Sequence, residues 1–156
     1  MNAGPMTNDA SVLVLERTFD APRDLVFRLW TEPKHLQRWC CPKGFTIPVS
    51  EGEIRRGGWF KSCMRSPEGQ EHWLAGKYLE LTPPSKIVFT HAWLDGQGDP
   101  EHETVVTVTL EDDAGKTRLT LHQAHFLSEP ARDGHRGGWE ETLDNLAAQL
   151  LDQASA

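Results

Sequence analysis

The chain has 156 residues, of which 38% are hydrophobic and 25% charged, and its formal net charge is −7 at pH 7. This length suits one ordinary domain, and the composition is normal for a globular protein. Nucleic acid and anionic membrane surfaces are disfavoured as partners, because the chain shows no cluster of Lys and Arg that would form a basic face. No apolar run approaches the roughly 20 residues that cross a bilayer, so we expect no membrane insertion.

The N-terminal residues and the cysteines indicate a cytoplasmic protein. The first nine residues contain neither the basic nor the apolar region of a secretory signal. The three cysteines, Cys40, Cys41 and Cys63, are an odd number with two adjacent, which does not suit a disulfide framework. We expect a flexible tail over residues 1–11, a single domain over 12–152 and a short tail over 153–156.

The start of the chain predicts one strand followed by two short helices. Residues 12–19 are rich in Val and Leu and predict a strand. Asp20 is expected to cap a helix that has Pro22 inside its first turn. This helix should end just before Pro33, because a proline disfavours helix in the residue before it. A second short helix is expected over residues 33–38.

The middle of the chain predicts six more strands. Apolar and polar residues alternate along several of these segments, which is typical of half-buried strands. The expected strands cover residues 45–51, 59–65, 71–81, 86–94, 104–111 and 116–124. Because the connections between successive strands are short, the sheet should be antiparallel.

The C-terminal segment changes to a helical period. Trp139, Leu143, Leu146 and Leu150 recur at spacings of four, three and four residues and form one apolar stripe. The pair Gly137-Gly138 is expected to stand just before this helix. The stripe must be buried, and the only surface available is the sheet. The sequence therefore predicts an α+β fold in which a curved antiparallel sheet of six to seven strands is crossed by a long C-terminal helix.

Five short motifs follow one another in order between residues 12 and 151. They are formed by Arg17-Thr18-Phe19-Asp20-Ala21-Pro22, by Trp30-Thr31-Glu32-Pro33, by Leu36 with Trp39 and Pro42, by Gly76, Tyr78, Glu80, Leu81, Pro83 and Pro84, and by Gly138, Trp139, Leu143 and Leu146. Together with the element order, they resemble the START-like helix-grip superfamily. Within it, they resemble the branch named after the C-terminal domain of the activator of the heat-shock-protein-ninety ATPase. One departure is Cys40-Cys41, where this branch usually has Trp-Gly.

The resemblance implies a helix-grip fold and a binding function. Members of the superfamily bind lipids, polyketides or other hydrophobic molecules between sheet and helix, and a minority are cyclases or hydrolases. We therefore expect a small hydrophobic or aromatic ligand and no catalysis. The alternatives are a co-chaperone or other protein-interaction module with a chaperone partner, and a cyclase- or aromatase-like enzyme. The protein is expected to be a monomer or a homodimer.

Six tryptophans against one tyrosine are a large excess of bulky rings, which either fill a core or line a pocket. The expected architecture places a set of aromatic residues around one cavity, with access near Cys40-Cys41-Pro42. This set is Trp39, Phe45, Trp59, Phe89, His91, Trp93 and Trp139. His91 is expected either to orient a ligand or to be a core histidine. Arg17 is expected either to bind a ligand carboxylate or to pair with a glutamate at a sheet edge.

Catalytic and metal chemistry have weaker support. The evident candidates for convergent catalytic groups are His91, Arg17, Tyr78 and Glu80. The cysteines do not have metal-ligand spacing, and His122 and His125 should point to opposite faces of one strand. Nothing near the cysteines resembles an environment that would activate a thiol. We therefore expect no metal and no cofactor.

Overall fold

The computed structural model describes residues 9–155. Along these residues one strand, two short helices, six strands and one long helix follow each other. They are β1 (Val12–Phe19), α1 (Arg23–Thr31), α2 (Pro33–Trp39), β2 (Thr46–Glu53), β3 (Trp59–Arg65), β4 (Glu71–Thr82), β5 (Lys86–Leu94), β6 (Pro100–Asp113), β7 (Lys116–Ala124) and α3 (Glu129–Ser155). This order confirms the predicted sequence of elements.

The seven strands form a single antiparallel sheet in the order β1-β7-β6-β5-β4-β3-β2. The first strand is an edge strand because it pairs with the last one, while the six later strands follow as a meander. The register shifts within β2, within β4 and between β5 and β6, and such bulges bend a strand. The α+β helix-grip fold predicted from the sequence is confirmed.

The helices cover only part of the sheet. α1 lies on β6 and β7, while α3 lies closest to β1, α1 and α2. Leu143, Leu146 and Leu150 of α3 are buried together with the inward residues of β6 and β7. The predicted stripe is therefore part of the core. Of the remaining strands, β2 contacts α2, and β3 to β5 are left without a closely packed helix.

Two expected details near α1 and β6 were wrong. Asp20 does not cap α1: Pro22 takes the N-cap position in extended conformation, and no side chain caps this helix. Pro22 offers its carbonyl oxygen to the amides of Leu25 and Val26, so the chain turns two residues after Asp20. β6 is longer than residues 104–111, because pairing continues past a bulge as far as Leu94 and Pro100.

α3 begins at Glu129, so Gly137 and Gly138 lie inside it and not before it. The start is set by Ser128, whose hydroxyl oxygen accepts the amide of Ala131 at 3.2 Å. A serine cap followed by a proline in the first turn is a common helix start, and here it outweighs the low helix propensity of the glycines. This start determines which residues face the sheet.

The chain ends also differ in part from the expected boundaries. α3 continues to Ser155, three residues past the expected domain end at 152. Residues 1–8 of the expected N-terminal tail lie outside the described residues. The backbone oxygen of Asp9 accepts a hydrogen bond from Arg132 Nη1 at 3.0 Å, which ties the start of the described chain to α3. No helix in residues 9–155 has the length and apolar character needed to cross a membrane.

Candidate ligand cavity

A cavity of about 590 Å³ lies between the inner face of β2 to β5 and the helices α2 and α3, and it is partly open. Pockets for small molecules typically have about 300–1,000 Å³ and are mostly apolar. The size and the position between sheet and C-terminal helix thus agree with a small-molecule site.

Alternation along the strands supplies the sheet side of the cavity. In β5, Ile87, Phe89, His91 and Trp93 all line it, because every second side chain of a strand points to the same face. β3 and β4 add Phe60, Ser62, Met64, His72, Leu74 and Tyr78 in the same way. This wall is aromatic and aliphatic, with a few hydroxyl and imidazole groups.

The helix side is lined by the N-terminal half of α3, which carries small residues. Gly134 and Gly138 are four residues apart, so they lie on the same face, and both line the cavity. A Cβ atom at Gly134 would meet no atom within 4 Å. His135 and Trp139 of the same part of α3 also line the cavity, and the two glycines leave open space beside these rings.

Five of the eight predicted site residues line this cavity. They are Phe45, Phe89, His91, Trp93 and Trp139. The structure therefore brings together residues from the loop before β2, from β5 and from α3, and the other three residues lie elsewhere.

Trp39 is fully buried behind the cavity wall. Its Nε1 donates a hydrogen bond to the Leu29 carbonyl oxygen at 2.9 Å, which holds α2 against α1. The ring of Trp30 stands edge-to-face against it at 4.7 Å and lines the cavity in its place. Trp30 lies on α1 and Trp39 on α2, and no local sequence pattern distinguishes which of the two rings faces the cavity.

Trp59 and Arg17 also lie outside the cavity. Trp59 is 44% exposed at the start of β3, and its neighbour Phe60 points inward. The alternation of Phe60, Ser62 and Met64 against Trp59 was a signal in the sequence that could have corrected this. Arg17 Nη1 pairs with Asp144 Oδ1 of α3 at 2.5 Å. Of the two alternatives expected for Arg17, the ion pair is the one observed. Its partner is an aspartate on α3 and not a glutamate at the sheet edge.

His135 was missed because its segment was interpreted as a connection before the helix. Trp93 Nε1 donates a hydrogen bond to His135 Nε2 at 3.2 Å, and His135 Nδ1 lies 2.9 Å from the Ala131 carbonyl oxygen. Because Nε2 accepts, we assign the proton to Nδ1, which then donates to Ala131. This chain of bonds joins β5 to the start of α3 and fixes the Trp93 ring.

The His91 imidazole lies at the same end of the cavity. Trp93 and His135 both stand edge-to-face against it, with ring centroids at 5.1 and 5.6 Å. Burial, and secondarily the neighbouring His135, lower the pKa of His91 to about 3. The ring is therefore neutral near pH 7, with one nitrogen that donates and one that accepts.

The other reactive groups of the cavity are also held neutral. Burial raises the pKa of the Tyr78 hydroxyl above its usual value, with a smaller effect from Cys40. Burial, and then Cys41, raise the pKa of the Cys40 thiol to about 12, and burial raises the pKa of Cys41 to about 11. Glu80 points elsewhere and pairs with Lys86 at 3.7 Å. These residues supply hydrogen-bonding groups but neither a thiolate nor an effective general base near neutral pH.

Comparison with known proteins decides the family. The profile of the family described as "Activator of Hsp90 ATPase homolog 1-like protein" matches residues 20–150. The chain belongs to this family. Among proteins with curated descriptions, none matches the chain.

Solved structures of the same fold include several bacterial proteins. A protein from Chromobacterium violaceum has 28% sequence identity and a TM-score of 0.82, over 91% of this chain and 98% of the other. The AHSA1 protein from Silicibacter pomeroyi has 27% identity and a TM-score of 0.84, over 92% and 99% of the two chains. A protein from Nitrosomonas europaea has 28% identity and a TM-score of 0.78, over 95% and 98%.

A buried chain of hydrogen bonds positions Trp139. The Trp139 Nε1 donates to Gln123 Oε1 at 2.8 Å, and Gln123 Nε2 donates to Thr104 Oγ1 at 2.8 Å. Thr104 in turn donates to the His91 carbonyl oxygen at 3.1 Å. Gln123 is fully buried, and its place on the inward face could have been inferred from Leu119 and Leu121, four and two residues earlier.

Polar contacts from α3 hold the loop between α2 and β2. Asn145 Nδ2 donates to the Cys41 carbonyl oxygen at 2.7 Å, and the Lys43 amide donates to Glu141 Oε1 at 3.1 Å. Lys43 Nζ also pairs with Asp144 at 2.9 Å. Hydrogen bonds from Lys43 and then Arg17 lower the pKa of Asp144, and Asp144 raises that of Lys43. Cys41 and its neighbours line the cavity, so these contacts help to define its rim.

The described residues offer no evident metal site. Within residues 9–155, no group of three or more His, Cys, Asp or Glu side chains is placed to hold a metal ion. Three imidazoles each pack against the Trp93 ring, and they belong to His72, His91 and His135. The cavity is therefore equipped for apolar contact and hydrogen bonding.

Proposed function

We propose that this protein binds a small hydrophobic or aromatic molecule in the cavity between β2 to β5 and α3, without catalysing a reaction. The observation that carries the proposal is the cavity itself, of about 590 Å³ and lined mainly by apolar and aromatic side chains. Apolar surface that a ligand removes from water contributes roughly 25 cal/mol per Å² before the costs of association. Phe45, Phe89, Trp93 and Trp139 supply much of that surface.

Family membership fits binding of a ligand or of a protein, and the interior favours the ligand. A pure protein-interaction module would have a filled interior and an exposed apolar patch. The large exposed apolar residues lie instead on different elements. They are Val14, Trp59, Leu79, Leu127 and Leu151. A chaperone partner and a cytoplasmic location stay predictions.

A tryptophan fluorescence titration tests the proposal. Trp30, Trp93 and Trp139 line the cavity, so a bound aromatic or fatty molecule should change their emission in a saturable way. Gly134→Leu should place a bulky side chain in the cavity and weaken binding. Gly137→Leu is the matched control, because Gly137 lies in the same helix but not in the cavity wall.

Saturable binding that Gly134→Leu weakens and Gly137→Leu preserves would support the cavity as the site. If a broad panel of aromatic and fatty molecules gives no saturable change, ligand binding is refuted. If both glycine variants affect binding equally, the ligand binds somewhere else.

A further inference from the structure

The lining of the cavity carries no formal charge. Among the described residues that line it, none is Asp, Glu, Lys or Arg, although these four types make up 25% of the chain. A carboxylate or an ammonium group buried there would lose its hydration without gaining an ion-pair partner. Burying an unpaired charge costs far more than burying a neutral polar group. The cavity therefore discriminates against charged molecules.

Two cations close to α3, Arg17 and Lys43, are already paired with Asp144 of that helix. Asp144 accepts both Arg17 and Lys43, at 2.5 and 2.9 Å, so one carboxylate holds two cations between β1, α3 and the loop before β2. Arg17 and Lys43 are absent from the cavity wall. To pair with a ligand carboxylate, either cation would have to leave Asp144 and turn toward the cavity.

The surroundings of His91 disfavour a positive charge in this part of the cavity. Its imidazole is buried in the wall, and its surroundings strongly favour the neutral ring. A ligand ammonium group would meet the same surroundings. A ligand carboxylate would gain no ion pair from the neutral His91 ring. His72 and His135 also line the cavity, and both ring nitrogens of His135 are already bonded, to Trp93 and to the Ala131 carbonyl oxygen.

Neutral hydrogen-bonding groups remain for a ligand. Thr104 donates to the backbone oxygen of His91 and not to its ring, and none of the described side chains hydrogen-bonds that ring. By contrast, the indole nitrogens of Trp93 and Trp139 are occupied by His135 and Gln123. The His91 ring can thus donate to a carbonyl oxygen or accept from a hydroxyl group.

From this arrangement we infer that the ligand is an uncharged molecule with a hydroxyl or carbonyl group that hydrogen-bonds the His91 ring. The inference rests on the proposed function and narrows it to a class of ligand. It excludes fatty-acid anions, other carboxylates and amines as preferred ligands.

A series of pyrene probes that differ in one substituent tests this class. The series consists of pyrene, pyrenemethanol, pyrenecarboxylate and pyrenemethylammonium, and energy transfer from tryptophan to pyrene reports binding. Pyrenemethanol should bind most tightly. The two ions should bind at least about 30-fold more weakly, because each must be desolvated without a partner.

Variants of His91 test the hydrogen bond. His91→Phe should lower the preference for pyrenemethanol over unsubstituted pyrene about three- to tenfold, the usual value of one neutral hydrogen bond. His91→Gln keeps a neutral donor and a neutral acceptor, so it should retain part of the preference for pyrenemethanol over pyrene. His122→Phe is the matched control, because His122 lies on β7 and does not line the cavity.

The outcomes separate this inference from the proposed function. If the carboxylate or the ammonium probe binds as tightly as pyrenemethanol, the inference is wrong while ligand binding stands. Equal weakening of pyrene and pyrenemethanol by His91→Phe would refute the hydrogen bond. If no member of the series binds the unchanged protein, both proposals are refuted together.

Discussion

The two halves of α3 face the rest of the molecule in opposite ways. The C-terminal half carries Leu143, Leu146 and Leu150, which are buried in a close-packed core. The N-terminal half carries Gly134 and Gly138, which line a cavity of about 590 Å³. One helix therefore closes the core at one end and leaves the sheet uncovered at the other.

The difference shows how a fold can be both stable and hollow. The leucine half supplies the burial that holds α3 in place, so the glycine half need not pack closely. Gly134 and Gly138 also lower helix propensity by about 1 kcal/mol each relative to alanine. Stability is thus concentrated at one end, and the other end leaves room for a ligand. The predictions below test this division.

Removing a leucine from the packed half should have the largest effect. Leu146→Ala deletes a fully buried side chain and should lower the free energy of unfolding by about 2–5 kcal/mol. Met64→Ala, in the cavity wall, should cost less because its side chain already faces open space. Chemical denaturation measures both. Leu127→Ala is the control, since Leu127 is 77% exposed. Equal losses for Leu146→Ala and Met64→Ala would contradict the division.

Acid should destabilise the hollow half through His91. The unfolded chain protonates His91 near pH 6.5, but the folded chain does so only near pH 3, because burial disfavours the imidazolium. Between these values the unfolded state binds more protons, so the free energy of unfolding falls as pH falls. From about pH 7 to about pH 5 this loss should be about 2 kcal/mol.

His91→Gln lacks this titration, so its stability relative to the original protein should rise by about 2 kcal/mol over the same interval. Denaturation curves of both proteins at the two pH values give this difference directly. A difference that does not depend on pH would mean that His91 is not buried in neutral form.

Alanine at the glycines should have the smallest effect and the opposite sign. Gly134→Ala and Gly137→Ala should each raise the free energy of unfolding by about 0.5–1 kcal/mol, because a helical alanine loses less entropy and neither Cβ meets an atom within 4 Å. Thermal melts measure the gain. If Gly134→Ala alone lowered the free energy of unfolding, the space beside Gly134 would be filled in the folded protein.

Much of the fold follows from local sequence patterns. Strands such as 59–65 and 86–94 were predicted with the observed bounds, because their alternation and turns are local signals. The start of α3 was missed, because the pair Gly137-Gly138 suggested a break while tertiary packing and the Ser128 cap sustain the helix. Whether such a segment is helical depends on tertiary packing more than on local helix propensity.

The candidate site was less predictable because it depends on which way each side chain faces. On β5 the alternation correctly brought Phe89, His91 and Trp93 into one wall. Trp39 and Trp30 lie on adjacent short helices, and only the packing of these helices decides which ring faces the cavity. The sequence carries no local signal for that choice.

Nuclear Overhauser effects between a bound probe and the protein methyl groups test the central claim most directly. With saturating pyrenemethanol, the ring protons should contact the methyl groups of Met64, Ile47 and Ile87, which line the cavity. They should not contact Leu143 or Leu146 in the packed half. Contacts confined to exposed residues such as Leu127, with none to Met64, would contradict a binding cavity between the sheet and α3.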